Sequence, residues 1–333
     1  MKRLGSALTA ILLTAFLATA FVAATAAPAQ ASCSTAGCPT PVPCNTSAGA
    51  CWRPTVGLRW QYQLQGSHKS SGSGCNFAAT GGINVDISAV PAAGGAAVRP
   101  QAFDIDYQTD GFCTGGTITQ ENSAAVAAIH ANAAKAICYI DAGTAESFRP
   151  DYPDYVAFNS QSGGALFGKP VGGFRNEYWL NVNNNKGQRD FILSEVATRL
   201  DRCVADRFDA VEFDNVDAYQ NKTGLTISSD TQLLFNAMLA NLAHAKGLTA
   251  ALKNDLGQAN DLRPWFDFAI NEQCFQYREC DYPPPGLAGW TAAGLAVFNV
   301  EYKSLKCSQA ASFSISSILK TVDLFDVPWT PCT

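Results

Sequence analysis

The chain has 333 residues, with 23 Lys and Arg against 28 Asp and Glu, so its formal net charge at pH 7 is −5. An acidic chain argues against nucleic acid as a partner. With 47% hydrophobic and 15% charged residues, the composition is that of a globular protein and excludes a largely disordered one.

The first 31 residues have the composition of a secretory signal peptide. Lys2 and Arg3 form a charged start, residues 7–24 are apolar, and residues 29–31 read A-Q-A, a small-residue cleavage signal. We therefore expect a secreted mature chain made of the 302 residues that follow. The alternative is an N-terminal membrane anchor. No later stretch approaches the roughly 20 apolar residues of a membrane span, so the mature form is not expected in a membrane.

All 12 cysteines follow residue 31, and in an exported protein they are interpreted as disulfides. Cys33, Cys38, Cys44 and Cys51 crowd a segment rich in Pro, Ser, Thr and Gly. Residues 32–51 are therefore predicted to form a disulfide-stapled N-terminal arm and not a second domain. The chain has no C-x-x-C and only three His, which argues against zinc, so we expect no metal.

Eight apolar runs of strand length alternate with helical patterns or loops. Helical patterns lie at residues 119–134, 187–206 and 229–247, the last with Ser229 and Gln232 at capping-box spacing. This alternation predicts the α/β class and a single (β/α)8 TIM barrel over residues 52–333. The runs begin near Gly57, Ala102, Lys135, Glu177, Asp209, Leu248, Phe266 and Leu295.

In each run the apolar residues come first and polar residues gather at the C-terminal end. The C-terminal strand ends of a TIM barrel form one face, which carries the active site. Side chains alternate along a strand, so Glu212 shares a face with Asp214, one layer deeper, and Asp104 shares a face with Asp106. The candidate substrate-binding residues at this face are Gln61, Tyr62, Asp104, Asp106, Tyr139, Asp141, Glu212, Asn215, Asp217, Tyr219, Lys253, Asn254, Asn271 and Glu301.

Two acids at this face fit glycoside hydrolysis. Asp214 ends the fifth predicted strand, and Glu272 ends the seventh, above an apolar layer. Strands two places apart are separated by roughly 9–10 Å, which brings inward-leaning carboxyls within about 5–9 Å. Carboxyl pairs in this range cleave glycosidic bonds, the shorter end giving retention of configuration and the longer end inversion. We assign Asp214 as the nucleophile and Glu272 as the acid/base, with the exchanged roles as the alternative.

Other sites have less support. No G-x-S-x-G elbow occurs, and the D-x-D-x-D-G spacing of calcium loops is absent, although calcium binding is an alternative use of the acids. Asp217 falls past its strand and is either a loop residue or a substrate contact. Several aromatic side chains at or beyond strand ends could stack on sugar rings: Trp60, Tyr62, Tyr107, Tyr139, Tyr219 and Tyr302.

Strand parity also bears on the cysteines. Cys138 has parity opposite to Asp141, so it should face the helix layer, where Cys203 is a possible disulfide partner. Proximity in the predicted loops suggests three further pairs: Cys75 with Cys113, Cys274 with Cys280, and Cys307 with Cys332.

Six ordered motifs span about residues 52–305: WQYQL (60–64), FDIDY (103–107), ICYIDAG (137–143), VEFDNVDAY (211–219), GLTAALKND (247–255) and NEQCFQYREC (271–280). Together they resemble glycoside hydrolase family 114, the endo-α-1,4-polygalactosaminidases. The resemblance implies a barrel fold, secreted endo-hydrolysis of α-1,4-linked galactosamine polymers, and no cofactor. The family's catalytic acids fall in the motifs that here hold Asp214 and Glu272.

The chain departs from the family pattern at two motifs. The family commonly reads E-P-D-N where this chain has E-F-D-N at 212–215, and Y-I-S-A-G-T-W-E where it has Y-I-D-A-G-T-A-E at 139–146. Compared with the family pattern, Asp141 adds an acid near the C-terminal face of the barrel, and Ala145 replaces a tryptophan that could stack on a sugar ring. These changes bear on the sugar preference more than on the reaction class. A cationic, de-N-acetylated galactosamine chain would suit an acidic mouth.

The sequence thus favours a secreted, monomeric endo-glycosidase acting on a galactosamine-rich polysaccharide. A non-catalytic barrel that binds polysaccharide is the alternative from another class, and a glycosidase for a different α-linked polymer is the third. Retention of both Asp214 and Glu272 favours the enzyme, because binding requires aromatic and amide groups more than opposed acids.

Overall fold

The structure, a computed structural model, describes residues 32–47, 49–69, 74–111, 113, 115, 118 and 120–333. The predicted signal peptide, residues 1–31, lies outside the described residues, and its cleavage stays a prediction. Among the described residues, no helix combines the length and the apolar character needed to cross a membrane.

Eight parallel strands form the barrel that the alternation of apolar runs predicted. They are β1 Trp60–Tyr62, β2 Ala102–Asp106, β3 Lys135–Asp141, β4 Ala210–Asp214, β5 Thr249–Lys253, β6 Phe268–Glu272, β7 Val297–Glu301 and β8 Ser316–Leu319. Each strand pairs with the next one in chain order, and the sheet curls until β1 contacts β8. At this seam the indole N–H of Trp60 donates to the backbone oxygen of Ser316 at 3.0 Å. The TIM-barrel prediction is confirmed.

Aromatic rings fill the interior of the barrel below the strand ends. Trp60 of β1 stacks on Phe298 of β7 with ring centroids 5.1 Å apart, and Phe268 of β6 meets Phe298 edge-on at 5.8 Å. Because β1 and β7 are not neighbours, the first two rings can meet only inside the barrel. Side chains alternate along a strand, so an inward Phe298 places Tyr302 inward and Glu301 outward.

Helices surround the barrel where the periodic segments predicted them. The segment predicted at 229–247 forms the helix Ser229–Ala245, but its N-cap is Ser228, whose hydroxyl accepts from the backbone N–H of Thr231 at 3.1 Å. Two adjacent serines both suit a cap, so the sequence did not separate them. The remaining helices are Cys33–Ala36, Ser123–Ala131, Tyr152–Gln161, Gln188–Ala205, Ala259–Leu262, Cys274–Tyr277, Gly286–Ala292 and Cys307–Ser312, with 3-10 turns at Ala78–Thr80 and Ala218–Gln220.

One predicted barrel strand lies outside the barrel. The run that begins near Glu177 belongs to the strand Phe174–Leu180, which pairs antiparallel with Thr144–Glu146 and with Phe167–Val171. We call these three strands the cap sheet. The prediction was wrong because a local apolar run indicates that a strand forms and not which strand it pairs with.

The eighth barrel strand, β8, was missed. Its sequence, Ser-Ser-Ile-Leu, holds two serines and no continuous apolar run of strand length. A short strand, Thr330–Pro331, pairs antiparallel with β8 on the side away from β7. The missed strand and the misplaced one compensate, so the predicted count of eight agrees with the structure. Asp214 ends β4 and Glu272 ends β6, two places apart as expected.

All 12 cysteines are paired, and the pairs suggested from the sequence form. The bond between Cys138 and Cys203 ties β3 to the helix Gln188–Ala205 outside the barrel, as strand parity indicated. Two bonds staple the N-terminal arm, which the Asn241 side chain holds against the barrel through backbone groups of residues 40 and 42. The pairs are Cys33–Cys38, Cys44–Cys51, Cys75–Cys113, Cys138–Cys203, Cys274–Cys280 and Cys307–Cys332.

Candidate active site

A cleft of about 620 Å³ opens at the C-terminal ends of the barrel strands. Its walls come from the strand ends, the loops that follow them and the cap sheet. This is the face at which the polar ends of the apolar runs predicted a site. Eight of the predicted site residues line the cleft: Tyr62, Asp106, Tyr139, Asp214, Asn215, Lys253, Asn254 and Glu272.

Asp214 ends β4, and three donors hold its carboxylate. The Tyr139 hydroxyl donates to Oδ2 at 2.8 Å, while Lys253 Nζ at 3.0 Å and the backbone N–H of Asn215 at 2.8 Å donate to Oδ1. Burial opposes ionisation, but Lys253 and these hydrogen bonds outweigh it and lower the pKa of Asp214. The site therefore holds Asp214 as an anion at neutral pH.

The backbone beside Asp214 is fixed by the loop after β3. Asn215 has a φ of +58°, a left-handed conformation that Asn adopts more readily than most residues. Its Nδ2 donates to Asp141 Oδ2 at 2.9 Å. Gly143 lies so close that a Cβ there would be 1.7 Å from the Asn215 carbonyl oxygen, so only glycine fits. Asp141, predicted to contact substrate, is buried and instead ties this loop to Asn215.

Glu272 ends β6 and faces Asp214 across Lys253. Its Oε1 accepts from the Tyr302 hydroxyl, and its Oε2 lies 3.4 Å from Asn254 Nδ2. The backbone N–H of Glu272 donates to Asn254 Oδ1 at 3.0 Å, which fixes the strand end. The Glu272 side chain is 30% exposed against 18% for Asp214, so it is the more open of the two acids.

Lys253 of β5 lies between the two acids with its side chain only 2% exposed. Its Nζ is 3.0 Å from Asp214 Oδ1 and 3.3 Å from Glu272 Oε2. Burial opposes its charge, but the surrounding acids outweigh burial and raise the pKa of Lys253 well above its ordinary value. Because one atom contacts both oxygens, these oxygens are at most 6.3 Å apart, the total of the two distances. That limit concerns the nearest oxygens, and it is compatible with the carboxyl separations of both retaining and inverting glycosidases.

Two predicted residues lie beneath the cleft instead of lining it. Asp104 of β2 and Glu212 of β4 are each 0% exposed. Glu212 Oε1 accepts from the Tyr62 hydroxyl at 3.3 Å and lies 3.5 Å from Lys253 Nζ. Glu212 is therefore one layer deeper than Asp214, as strand parity predicted, and reaches the cleft only through Tyr62 and Lys253.

Five further predicted residues are not brought to the cleft. Gln61 donates to a backbone oxygen at the barrel seam, and Glu301 accepts from the backbone N–H of residue 275. Asp217 accepts hydrogen bonds from amide side chains within its own loop, and Tyr219 bonds to a buried aspartate. Asn271 donates to Asn254 Oδ1 and so supports a cleft residue from behind. The side chains of Gln61, Asn271 and Glu301 lie outside the barrel interior because alternate residues of a strand point outward.

Arg149 and Tyr302 are cleft residues that the candidate set omitted. Arg149 is buried, donates to both oxygens of Asp106 at 2.7 and 2.5 Å, and pairs with Glu146 at 2.6 Å. Asp106 therefore already has a counter-charge. No periodic pattern points to Arg149, because it lies in a loop. Tyr302 was predicted only as a possible stacking ring, although the alternation that starts at Phe298 places it inward.

Glu177 of the cap sheet also lines the cleft. It is the cross-strand partner of Glu146, which is already paired with Arg149. Among the described residues, the Glu177 carboxylate has no ion-pair partner. Burial, followed by repulsion from Glu146 and Asp214, raises the pKa of Glu177 to about 8. A cation entering the cleft would relieve this repulsion.

The cleft is acidic and partly aromatic. Among the described residues that line it, seven are acids and two are bases, an excess that attracts cations. Phe148 and Phe174 line it although they are 45% and 59% exposed, and exposed apolar side chains in a groove are typical of a ligand-binding surface. Within the described ranges, no three His, Cys, Asp or Glu side chains are grouped so that they could hold a metal ion.

Comparisons with known proteins agree with the fold. The model of glycoside-hydrolase family GH114 matches residues 42–332. Among solved structures, the chain is similar to Ega3 of Aspergillus fumigatus in complex with galactosamine, with a TM-score of 0.61 and 25% identity over 83% of this chain and 95% of that chain.

It is also similar in fold to the glycoside hydrolase domain of PelA from Pseudomonas aeruginosa, with a TM-score of 0.52 and 8% identity over 83% of this chain and 98% of that chain. No curated protein sequence matches the chain significantly. The family model covers most of the chain, and the resemblance of its six motifs is confirmed: the chain belongs to glycoside-hydrolase family GH114.

Proposed function

We propose that this protein is a secreted endo-glycosidase that hydrolyses α-1,4-linked, galactosamine-containing polysaccharide, with Asp214 as the nucleophile and Glu272 as the acid/base. One observation carries the proposal: the two carboxyls face each other across a single buried ammonium, Lys253 Nζ, at 3.0 and 3.3 Å. The lowered pKa of Asp214 supports the nucleophile role, because a nucleophile must be ionised. The greater exposure of Glu272 supports the acid/base role.

With Asp214 ionised and acting as the nucleophile, the reaction is a double displacement with retention of configuration. In the first step a carboxylate oxygen of Asp214 attacks the anomeric carbon, the glycosidic C–O bond breaks, and Glu272 gives its proton to the leaving oxygen. In the second step water attacks the anomeric carbon, its proton passes to Glu272, and the bond to Asp214 breaks. Each step leaves the atoms and charges balanced.

Lys253 can stabilise both halves of this reaction without moving. As Asp214 becomes an ester, the negative charge passes to Glu272, and Lys253 Nζ contacts an oxygen of each acid. A fixed, buried charge is a strong stabiliser, because no reorganisation is needed as charge develops. The Tyr139 hydroxyl stabilises the negative charge of Asp214 only, because it donates to Asp214 Oδ2.

The galactosamine assignment is supported by charge. The related Ega3 structure holds galactosamine, and an unacetylated amino sugar is a cation. The excess of acids in the cleft suits such a chain. We assign Glu177, which has no ion-pair partner among the described residues, to an ammonium group of the polymer, and Phe174 at the edge of the cap sheet to the apolar face of a sugar.

Secretion is supported by the predicted leader and by six disulfides, which persist in oxidising compartments. A periplasmic or extracellular site of action also suits a polymeric substrate. Detection of the mature chain in the culture medium, with an N-terminus at Ser32, tests this part.

The activity is tested by release of reducing ends from partly de-N-acetylated galactosaminogalactan, with galactosamine-free α-glucans in parallel. We expect release from the first polymer only. Glu272→Gln should lower turnover by about 10²–10⁴-fold while polymer binding is kept, and Glu279→Gln, outside the cleft, should change neither. Near-normal turnover in Glu272→Gln would refute the acid/base assignment. Binding without release from any polymer would instead favour a polysaccharide-binding barrel.

A further inference from the structure

Two buried acids are not used by the proposed mechanism. Asp104 and Glu212 come from β2 and β4, and alternate strands of a TIM barrel place their inward side chains in one layer. Both side chains are 0% exposed and lie directly under the cleft. A carboxylate buried without donors costs several kcal/mol of stability, so this pair needs a physical explanation.

The donors around the pair are too few for two carboxylates. Glu212 Oε1 faces the Tyr62 hydroxyl at 3.3 Å and Lys253 Nζ at 3.5 Å. The other three oxygens, both of Asp104 and Oε2 of Glu212, meet no donor among the described residues. The two side chains are within hydrogen-bonding reach of each other. A carboxylate only accepts hydrogen bonds, so this contact is attractive only when one of the two acids carries a proton.

We propose that Asp104 and Glu212 share one proton, so that the pair carries a single negative charge that sets the charge balance of Lys253 and, through it, of Asp214. The direction of the pKa shifts agrees. Burial, followed by repulsion from Glu212, raises the pKa of Asp104 well above its usual range, and burial raises that of Glu212 to about 7 although Lys253 opposes the shift.

The charge of the pair matters because it faces the reacting groups. The titratable groups around it are Tyr62 of β1, Asp214 of β4, Lys253 of β5 and Glu272 of β6. With two negative charges, the pair would compete with Asp214 for the Lys253 ammonium. With none, Lys253 would act on Asp214 and Glu272 alone. A single shared proton gives the intermediate state, and Asp104 and Glu212 are then positioning residues that act through Lys253.

Amide substitutions separate the three charge states. In Asp104→Asn the amide N–H supplies the missing donor and Glu212 keeps one negative charge. In Glu212→Gln the charge stays on Asp104. Each single variant should therefore leave both limbs of the kcat/KM pH profile within about half a pH unit of wild type. The double variant loses the charge, which favours ionisation nearby, and both limbs should move to lower pH by about one unit or more.

Other outcomes overturn the proposal. Two ionised acids would make each single variant shift the limbs, with the double variant roughly additive. Two protonated acids would leave even the double variant unshifted. This kinetic arm rests on the proposed function.

Infrared difference spectroscopy at pH 7 does not rest on that function, because it needs no substrate. Besides the band of other protonated acids such as Glu177, the wild-type protein should show a protonated-carboxyl C=O component that is lost in each single variant. If this component is present but the protein does not cleave the polymer, only the proposed activity is refuted. If the component is absent, the shared proton is refuted. Thermal unfolding of each variant checks that the fold is kept.

Discussion

Replacement of Lys253 by methionine is the most direct test of the electrostatics of the cleft. Methionine keeps most of the side-chain volume and removes the ammonium. The change deprives Asp214 and Glu272 of a shared counter-charge at 3.0 and 3.3 Å, inside a site where the lysine is 2% exposed. Ionised Asp214 then keeps only its neutral donors, Tyr139 and the backbone N–H of Asn215.

The size of the effect follows from these distances. Two unit charges 3.0 Å apart attract by about 5.5 kcal/mol at an effective dielectric constant of about 20, an upper limit because burying both charges offsets part of it. An opposite charge at this range typically moves a carboxyl pKa by about 1–3 units. In Lys253→Met we therefore expect the acid limb of kcat/KM, which reports ionisation of Asp214, to move up by about 1–3 pH units.

The same change alters stability with a definite sign. The pKa of Asp214 is lowered in the folded protein, so ionised Asp214 adds stability above its unfolded pKa, and this is lost as the pH falls through the folded value. Without Lys253 the shift reverses, and the free energy of unfolding at neutral pH should fall by about 3–5 kcal/mol, the usual cost of breaking a buried ion pair.

The assay is a pH–rate profile on partly de-N-acetylated galactosaminogalactan, together with urea unfolding at neutral pH. Lys222→Met is the matched control, because it removes an exposed lysine outside the cleft and should move neither quantity. An acid limb that stays in place in Lys253→Met, in a folded protein, would refute the assignment of Lys253 as the group that keeps Asp214 ionised.

Two further predictions concern the polymer and the disulfides. Glu177→Gln should lower kcat/KM on the de-N-acetylated polymer by several-fold and leave a highly N-acetylated one unaffected, whereas Glu279→Gln changes neither; an equal loss on both polymers would contradict the ammonium assignment. Replacing Cys138 and Cys203 by alanine opens a 65-residue loop and should lower the free energy of unfolding by about 4 kcal/mol, against about 2 kcal/mol for Cys33 and Cys38, which are five residues apart. Urea unfolding measures both, and a reversed order would contradict the loop-entropy reasoning.

Much of the site was predictable because it depends on local periodicity. A buried parallel strand has an apolar body, and its polar residues collect where it leaves the core, so Asp214, Lys253 and Glu272 were visible as strand-end residues. Parity along β4 also placed Glu212 beneath Asp214 without any knowledge of the partner strands. The bond between Cys138 and Cys203 followed from the same alternation.

The wrong predictions concern features that no pattern within a single run of residues expresses. The strand Phe174–Leu180 has the composition of a barrel strand, but its antiparallel pairing in the cap sheet depends on residues 144–146 and 167–171, and no pattern within the run expresses it. Glu301 was placed in the substrate-binding set and Tyr302 only among the possible stacking rings, because both lie at the end of the same strand. Only the contact of Phe298 with Trp60 across the barrel shows which of the two points inward.

By itself, the sequence determined the barrel class, the face that carries the candidate site and the two opposed acids, because these depend on a period of two along each strand and on where each strand ends. Tertiary structure alone decided that Lys253 lies between the acids, that Arg149 neutralises Asp106, and that Asp104 meets Glu212 with too few donors for two charges. Such charge relationships join residues from different strands, and in a barrel they arise only when the sheet curls and closes.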